Sequence, residues 1–143
     1  MTVTGLDHVQ LAMPPGGEGE ARRFYGQLLG LAEIPKPAPL ATRGGCWFAA
    51  PGTEVHLGVQ PDFVPARKAH PAFRVADLDA LAARLTAAQV PVTWDQALPQ
   101  VRRFYAPDPF GNRLEFLQEG QGIRQRREAG EAHLESPEAG EGG

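Results

Sequence analysis

Apolar positions recur along the chain with two periods, and the switches between them mark out its elements. Between Gly5 and Met13 the period is two. Val9, Leu11 and Met13 share a face, which predicts a strand, because successive strand side chains point to opposite sides. Pro14-Pro15-Gly16-Gly17 ends it. From Glu18 to Leu29 the spacing becomes helical, with Ala21, Phe24, Tyr25, Leu28 and Leu29 on one stripe and Gly30 as the stop. A Pro-rich irregular connection, Pro35–Pro39, follows. Cys46–Ala49 and Glu54–Val59 then read as two short strands joined by a turn at Pro51-Gly52.

The pattern restarts at Ala69. Ala69–Val75 reads as a strand, and Asp77 is the expected N-cap of a helix running through Gln89, with Leu78, Leu81, Leu85 and Ala88 on its apolar face. Val92–Trp94, Arg102–Tyr105 and Arg113–Leu117 are three more predicted strands. Before the last of them, Asp108-Pro109 and Phe110-Gly111-Asn112 form a turn, since proline fixes φ and glycine or asparagine tolerates positive φ. Each half is therefore strand–helix–strand–strand–strand. The expected fold is α+β, with two βαβββ modules, residues 1–62 and 67–118, together forming one domain. Residues 119–143 are rich in glycine and in both charges, with Ile123 and Leu134 the only large aliphatics. Such a segment buries too little apolar area to offset its ordering entropy, so a mobile tail is expected, with a short charged helix over Arg124–Leu134 as the alternative. His133, within it, carries no expected role.

Composition narrows the function classes. The 143 residues are 42% hydrophobic and 22% charged, as in a globular protein. A net charge of −3 gives no basic field for nucleic acid. No apolar run approaches the roughly 18–20 residues of a membrane span. The N-terminus lacks the basic region of a signal peptide, and the single cysteine, Cys46, cannot form an internal disulfide, so a cytoplasmic location is expected.

Four polar residues break the apolar strands. His8, His56, His70 and Glu115 each lie on the row opposite the apolar side chains of their strand. The repeat superposes them: HVQLAM from His8 matches HPAFRV from His70, and HLGVQ from His56 matches EFLQE from Glu115. Three of the four histidines thus share equivalent positions with one carboxylate. If the two halves are related by a pseudo-twofold, the four meet as a donor set suited to Zn, Ni, Fe, Mn or Co.

These pieces resemble the vicinal oxygen chelate superfamily, which includes glyoxalase I, extradiol dioxygenases, and fosfomycin- and bleomycin-resistance proteins. The matching stretches are GLDHVQLAMP, ARRFYGQLLGL, EVHLGV, KAHPAFRV, DLDALAARLTAAQVPV and FYAPDPFGNRLEFLQ, covering most of Gly5–Gln118. The resemblance implies that the βαβββ modules form a half-open, cup-shaped mixed sheet with helices outside. It implies metal ligands at His8, His70 and Glu115, with His56 as a fourth position in the glyoxalase branch. His56 is open to a second role, as a general base standing off the metal. Members are often homodimers, and in some the site is completed between chains.

Departures from the family narrow the chemistry. Glyoxalase I usually has Glu where this chain has His56. Extradiol enzymes share a Tyr at the position of Tyr105 but add a histidine that Gln96–Leu98 lack. The Lys and Arg pattern of fosfomycin-modifying enzymes is absent, and bleomycin binders lack the donor set. The expected function is a divalent-metal-dependent lyase or isomerase that chelates a small substrate through neighbouring oxygens. His56, Glu115 and Tyr105 would be catalytic, and Gln10, Arg43 and Arg103 would contact substrate, the arginines through bidentate pairing with an anion. The alternatives are a non-catalytic small-molecule binding protein and an extradiol-type dioxygenase. Trp47, Phe48 and Trp94 are candidates for core or for an apolar wall, and Cys46 for a buried structural thiol.

Overall fold

A computed structural model describes residues 2–130. The elements run β1 (Val9–Met13), a helix α1 (Glu18–Ala21) that continues as a π-helix (Arg22–Leu28), β2 (Ala32–Ile34), a 3₁₀ segment (Ala38–Arg43), β3 (Cys46–Ala50) and β4 (Thr53–Val59). The second series is β5 (Ala72–Val75), α2 (Leu78–Ala87), β6 (Thr93–Asp95), β7 (Arg103–Pro107), β8 (Arg113–Gln118) and α3 (Ile123–Glu128). The two sheets have the orders β1-β4-β3-β2 and β5-β8-β7-β6, so the sequence repeat is a repeat of topology. Each sheet is mixed and open: β1 runs parallel to β4 and β5 parallel to β8, while β2–β3, β3–β4 and β6–β7 are antiparallel.

The chain clusters into two compact units. One holds Met1–Pro71 with Pro107–Arg113, the other Ala72–Ala106 with Leu114–Gly143. In the first, Cys46 pairs with Leu57 and Phe48 with Val55, so all four point the same way, and all four are buried. Tyr25, from the π-helix, stacks on Phe48 at 5.7 Å and is itself fully buried. The DPFGN turn belongs to this unit. Asp108 is buried and accepts four hydrogen bonds, from Tyr25 Oη at 2.6 Å, Asn112 Nδ2, Asn112 N and Phe110 N. Asn112 Nδ2 also donates to the carbonyl of Ala12 in β1. The turn expected from proline and glycine geometry is thus built around a carboxylate.

In the second unit Phe116 lies between Phe73 at 5.7 Å and Phe104 at 5.2 Å, and α2 supplies buried Leu78, Leu81 and Leu85. Asp77 caps α2 through Oδ1, which accepts from Ala80 N at 3.0 Å.

Three differences from the sequence expectations have local causes. The first strand begins at Val9 rather than Gly5, and the fifth at Ala72 rather than Ala69. Pro71 has no N–H to give a ladder, so His70 sits just outside its strand. The Pro35–Pro39 connection turns into the 3₁₀ segment. The segment expected as a mobile tail opens with α3, whose Ile123 packs against buried Val101 and Leu117. Residues 131–143, with His133, lie outside the described residues. Among the described residues, no helix is long and apolar enough to cross a membrane.

Candidate functional site

Alternation along β4 sends Val55 and Leu57 into the core and turns Glu54, His56 and Gly58 to the other face. On that face Trp47, the cross-strand partner of His56 on β3, lies ring to ring with it: the centroids are 3.6 Å apart and the planes 2° from parallel. His8, just before β1, stacks on His56 at 4.1 Å and 18°. His56 is thus part of a three-ring column and is buried at 5% exposure, while His8 remains exposed. Gln10, also exposed, lies on the same face. A Cβ added at Gly58 would come within 2.6 Å of Gln10 Nε2, so the glycine makes room for that amide.

The hydrogen bonds assign the imidazole protons. His8 Nδ1 lies 2.8 Å from the Asp7 carboxylate, and His70 Nδ1 lies 2.7 Å from the carbonyl of Lys68. A carbonyl or carboxylate oxygen only accepts, so in both rings Nδ1 carries a hydrogen. His56 has the opposite pattern: Nε2 donates to Glu54 Oε1 at 2.8 Å, and Nδ1 is left as the acceptor.

Glu115 lies in the second unit and is 4% exposed. Arg103, from β7, holds it through Nη1 to Oε2 at 3.3 Å and also reaches Asp95 Oδ2 from Nη2 at 3.3 Å. Arg103 Nε is buried with no hydrogen-bond partner among the described residues. Tyr105 is half-buried on the same row, its ring 5.9 Å from the Arg103 guanidinium carbon.

The donor types and the His8 and His70 tautomers suit a divalent ion. His56 does not suit an ion shared with His8. A ligating lone pair lies in the ring plane, and two nearly parallel planes 4.1 Å apart do not aim their lone pairs at one point. Among the described residues, no group of three or more His, Cys, Asp or Glu side chains is placed to hold a metal ion.

The remaining candidates fall as follows. Arg43 is exposed at the end of the 3₁₀ segment. Trp94 is 40% exposed, with Arg102 over its ring at 5.0 Å, and Phe48 is core. Burial, then the nearby Glu33 charge, pushes the Cys46 thiol up to about 11, as expected of a structural thiol. Glu54, Asp95 and Asp7 were missed from sequence. Glu54 had a signal, because it stands two residues before His56 and so shares its face.

No protein-family model and no curated protein matches the chain. Solved structures do. A glyoxalase family protein from Bacillus anthracis is 50% identical over 82% of this chain and 97% of its own, with a TM-score of 0.79. A variant of the fosfomycin resistance protein FosX from Listeria monocytogenes, complexed with Mn(II) and 1S,2S-dihydroxypropylphosphonic acid, is 16% identical over 89% of this chain and 99% of its own, with a TM-score of 0.72. TnmS3, an antibiotic binding protein from Streptomyces sp. CB03234, is 24% identical over 82% of this chain and 98% of its own, with a TM-score of 0.60. The last two share the fold.

Proposed function

This chain belongs to the glyoxalase family of the vicinal oxygen chelate superfamily, and from that premise we propose that it is a divalent-metal-dependent enzyme of lyase or isomerase type. Its substrate is a small molecule with two neighbouring oxygens. The observation that carries this reading is the pair of imidazoles at His8 and His70. Each gives its Nδ1 hydrogen to an oxygen acceptor, the outer-shell arrangement typical of ligating histidines. His8, His70 and Glu115 would hold the ion, one of Zn, Ni, Fe, Mn or Co. Bound there, such an ion polarises substrate oxygens as a Lewis acid. The reading includes a cytoplasmic homodimer, in which a second copy can contribute donors to the same site.

The chain's own residues have separate tasks. His56 stands off the ion, with Nδ1 able to accept a hydrogen bond or proton from substrate. Gln10 offers an amide over Gly58 on the same face. Arg103 Nε is a donor for a substrate oxygen, and Tyr105 lines the same row. Glu115 and Asp95 take up Arg103 Nη1 and Nη2, so Nε is the guanidinium donor left for that oxygen. Arg43, exposed, would meet an anionic group only at the periphery.

A second reading, small-molecule binding without turnover, is favoured by the Arg103–Glu115 pair, which already satisfies part of the carboxylate. The description of TnmS3 as an antibiotic binding protein adds to it. An assay of the chelated chain, with each metal restored in turn, separates the two on a panel of hemithioacetals, epoxides and catechols. Turnover restored by metal supports the enzyme. Saturable binding with no turnover under any metal supports the binding protein, and ring cleavage with iron supports the dioxygenase alternative.

A further inference from the structure

We propose that Glu54 is a positioning residue that fixes the tautomer and ring orientation of His56. The inference rests on the reading of His56 as a site residue that is not a metal ligand, and it names what sets that role. His56 is held on both faces, by Trp47 at 3.6 Å and His8 at 4.1 Å. Stacking constrains the plane of a ring but not which nitrogen lies where within that plane. A half-turn of the imidazole about χ2 would exchange the ring edges with little change in stacking. The in-plane choice needs a directional contact, and the one in place is the 2.8 Å contact between Nε2 and Glu54 Oε1.

Because an ionised carboxylate only accepts, Nε2 must carry the hydrogen, and the lone pair falls on Nδ1. His8 and His70 have the reverse assignment. Glu54 thus makes His56 chemically distinct from His8 and His70, in the way a carboxylate orients the base of a nucleophile–base pair. The strand geometry supplies the contact directly: residues two apart in β4 stand side by side on one face, and Glu54 is itself only partly exposed. With His56 at 5% exposure, water has little room to replace the carboxylate as acceptor.

The test is the ¹⁵N spectrum of the histidine rings in the full chain, metal-free, at about pH 8, above the ordinary histidine pKa near 6.5. His56 is assigned with a His56→Gln sample. The expected result is a single Nε2–H tautomer for His56 and Nδ1–H tautomers for His8 and His70. Glu54→Gln, whose amide oxygen still accepts, keeps the His56 tautomer. Glu54→Ala averages the two His56 nitrogen signals and leaves His8 and His70 unmoved. A far-UV spectrum checks that each variant is folded. An Nδ1–H tautomer for His56, or an Nε2–H tautomer unmoved in Glu54→Ala, overturns the proposal. Adding Zn(II) separates this outcome from the metal reading. Averaging in Glu54→Ala with no metal-induced shift at His8 or His70 in the wild type keeps Glu54's role and removes the metal site. Shifts at His8 and His70 with an unmoved His56 tautomer in Glu54→Ala do the opposite.

Discussion

Trp47 and His56 lie face to face, 3.6 Å between ring centroids and 2° from parallel, as cross-strand partners in β3 and β4. The contact buries one face of an imidazole that has a carboxylate on its edge. Trp47→Leu removes the aromatic face but keeps an apolar side chain. A loss of about 1–3 kcal/mol in unfolding free energy is expected, since aromatic pairing adds roughly 0.5–1.5 kcal/mol to the area term. Urea denaturation measures it. Trp47→Phe should recover about half the loss, by the same reasoning.

Tyr25 predicts an alkaline limb. Burial first, then the charge of Asp108 and its hydrogen bond, holds the Tyr25 phenol well above its ordinary value. The folded chain therefore keeps the phenolic proton more tightly than the unfolded one, and unfolding releases it. This stabilisation is complete below about pH 10 and is lost as the pH rises beyond that. Tyr25→Phe leaves Asp108 without one of its four donors, at a cost of about 1–3 kcal/mol at neutral pH. The variant should also lose stability less steeply above about pH 10. Chemical denaturation across the alkaline range reads both effects.

Two glycines separate backbone strain from steric overlap. Gly30 and Gly45 both have φ near +80°, at +77° and +79°. Around Gly30 an added Cβ meets nothing within 4 Å, whereas at Gly45 it would lie 2.0 Å from the Leu57 carbonyl oxygen. Gly30→Ala should cost only the left-handed penalty of roughly 1–2 kcal/mol. Gly45→Ala must also push β3 away from β4, beneath Trp47 and His56, and should cost more than about 4 kcal/mol or prevent folding. Thermal melts of the two variants side by side test the difference.

The repeat was legible because apolar spacing reports directly on strands and helices. The two periods located β1, α2 and β8, and Asp77 and Gly30 marked helix ends. His8, His56, His70 and Glu115 also stood out, since a polar residue opposite an apolar row is visible in one dimension. The partners were less legible. Asp95 meets Arg103 only through the β6–β7 register, and the π-helical winding of Arg22–Leu28 has no clear residue signature. The stacking of His8 on His56 depends on β1 lying beside β4, a long-range pairing that local spacing does not encode. That stack sets the ring plane of His56 nearly parallel to that of His8, a relationship the one-dimensional pattern of the strands does not carry.

The central claim is that His8, His70 and Glu115 hold one divalent ion. Elemental analysis of the untagged chain, before and after chelation and beside Glu115→Gln, tests it most directly. The account predicts about one transition metal per chain in the wild type, removed by chelation, restored on addition and lost in Glu115→Gln. A wild-type chain that holds no metal and takes none up when it is added would contradict it, and would leave the histidines as structural groups of a binding protein.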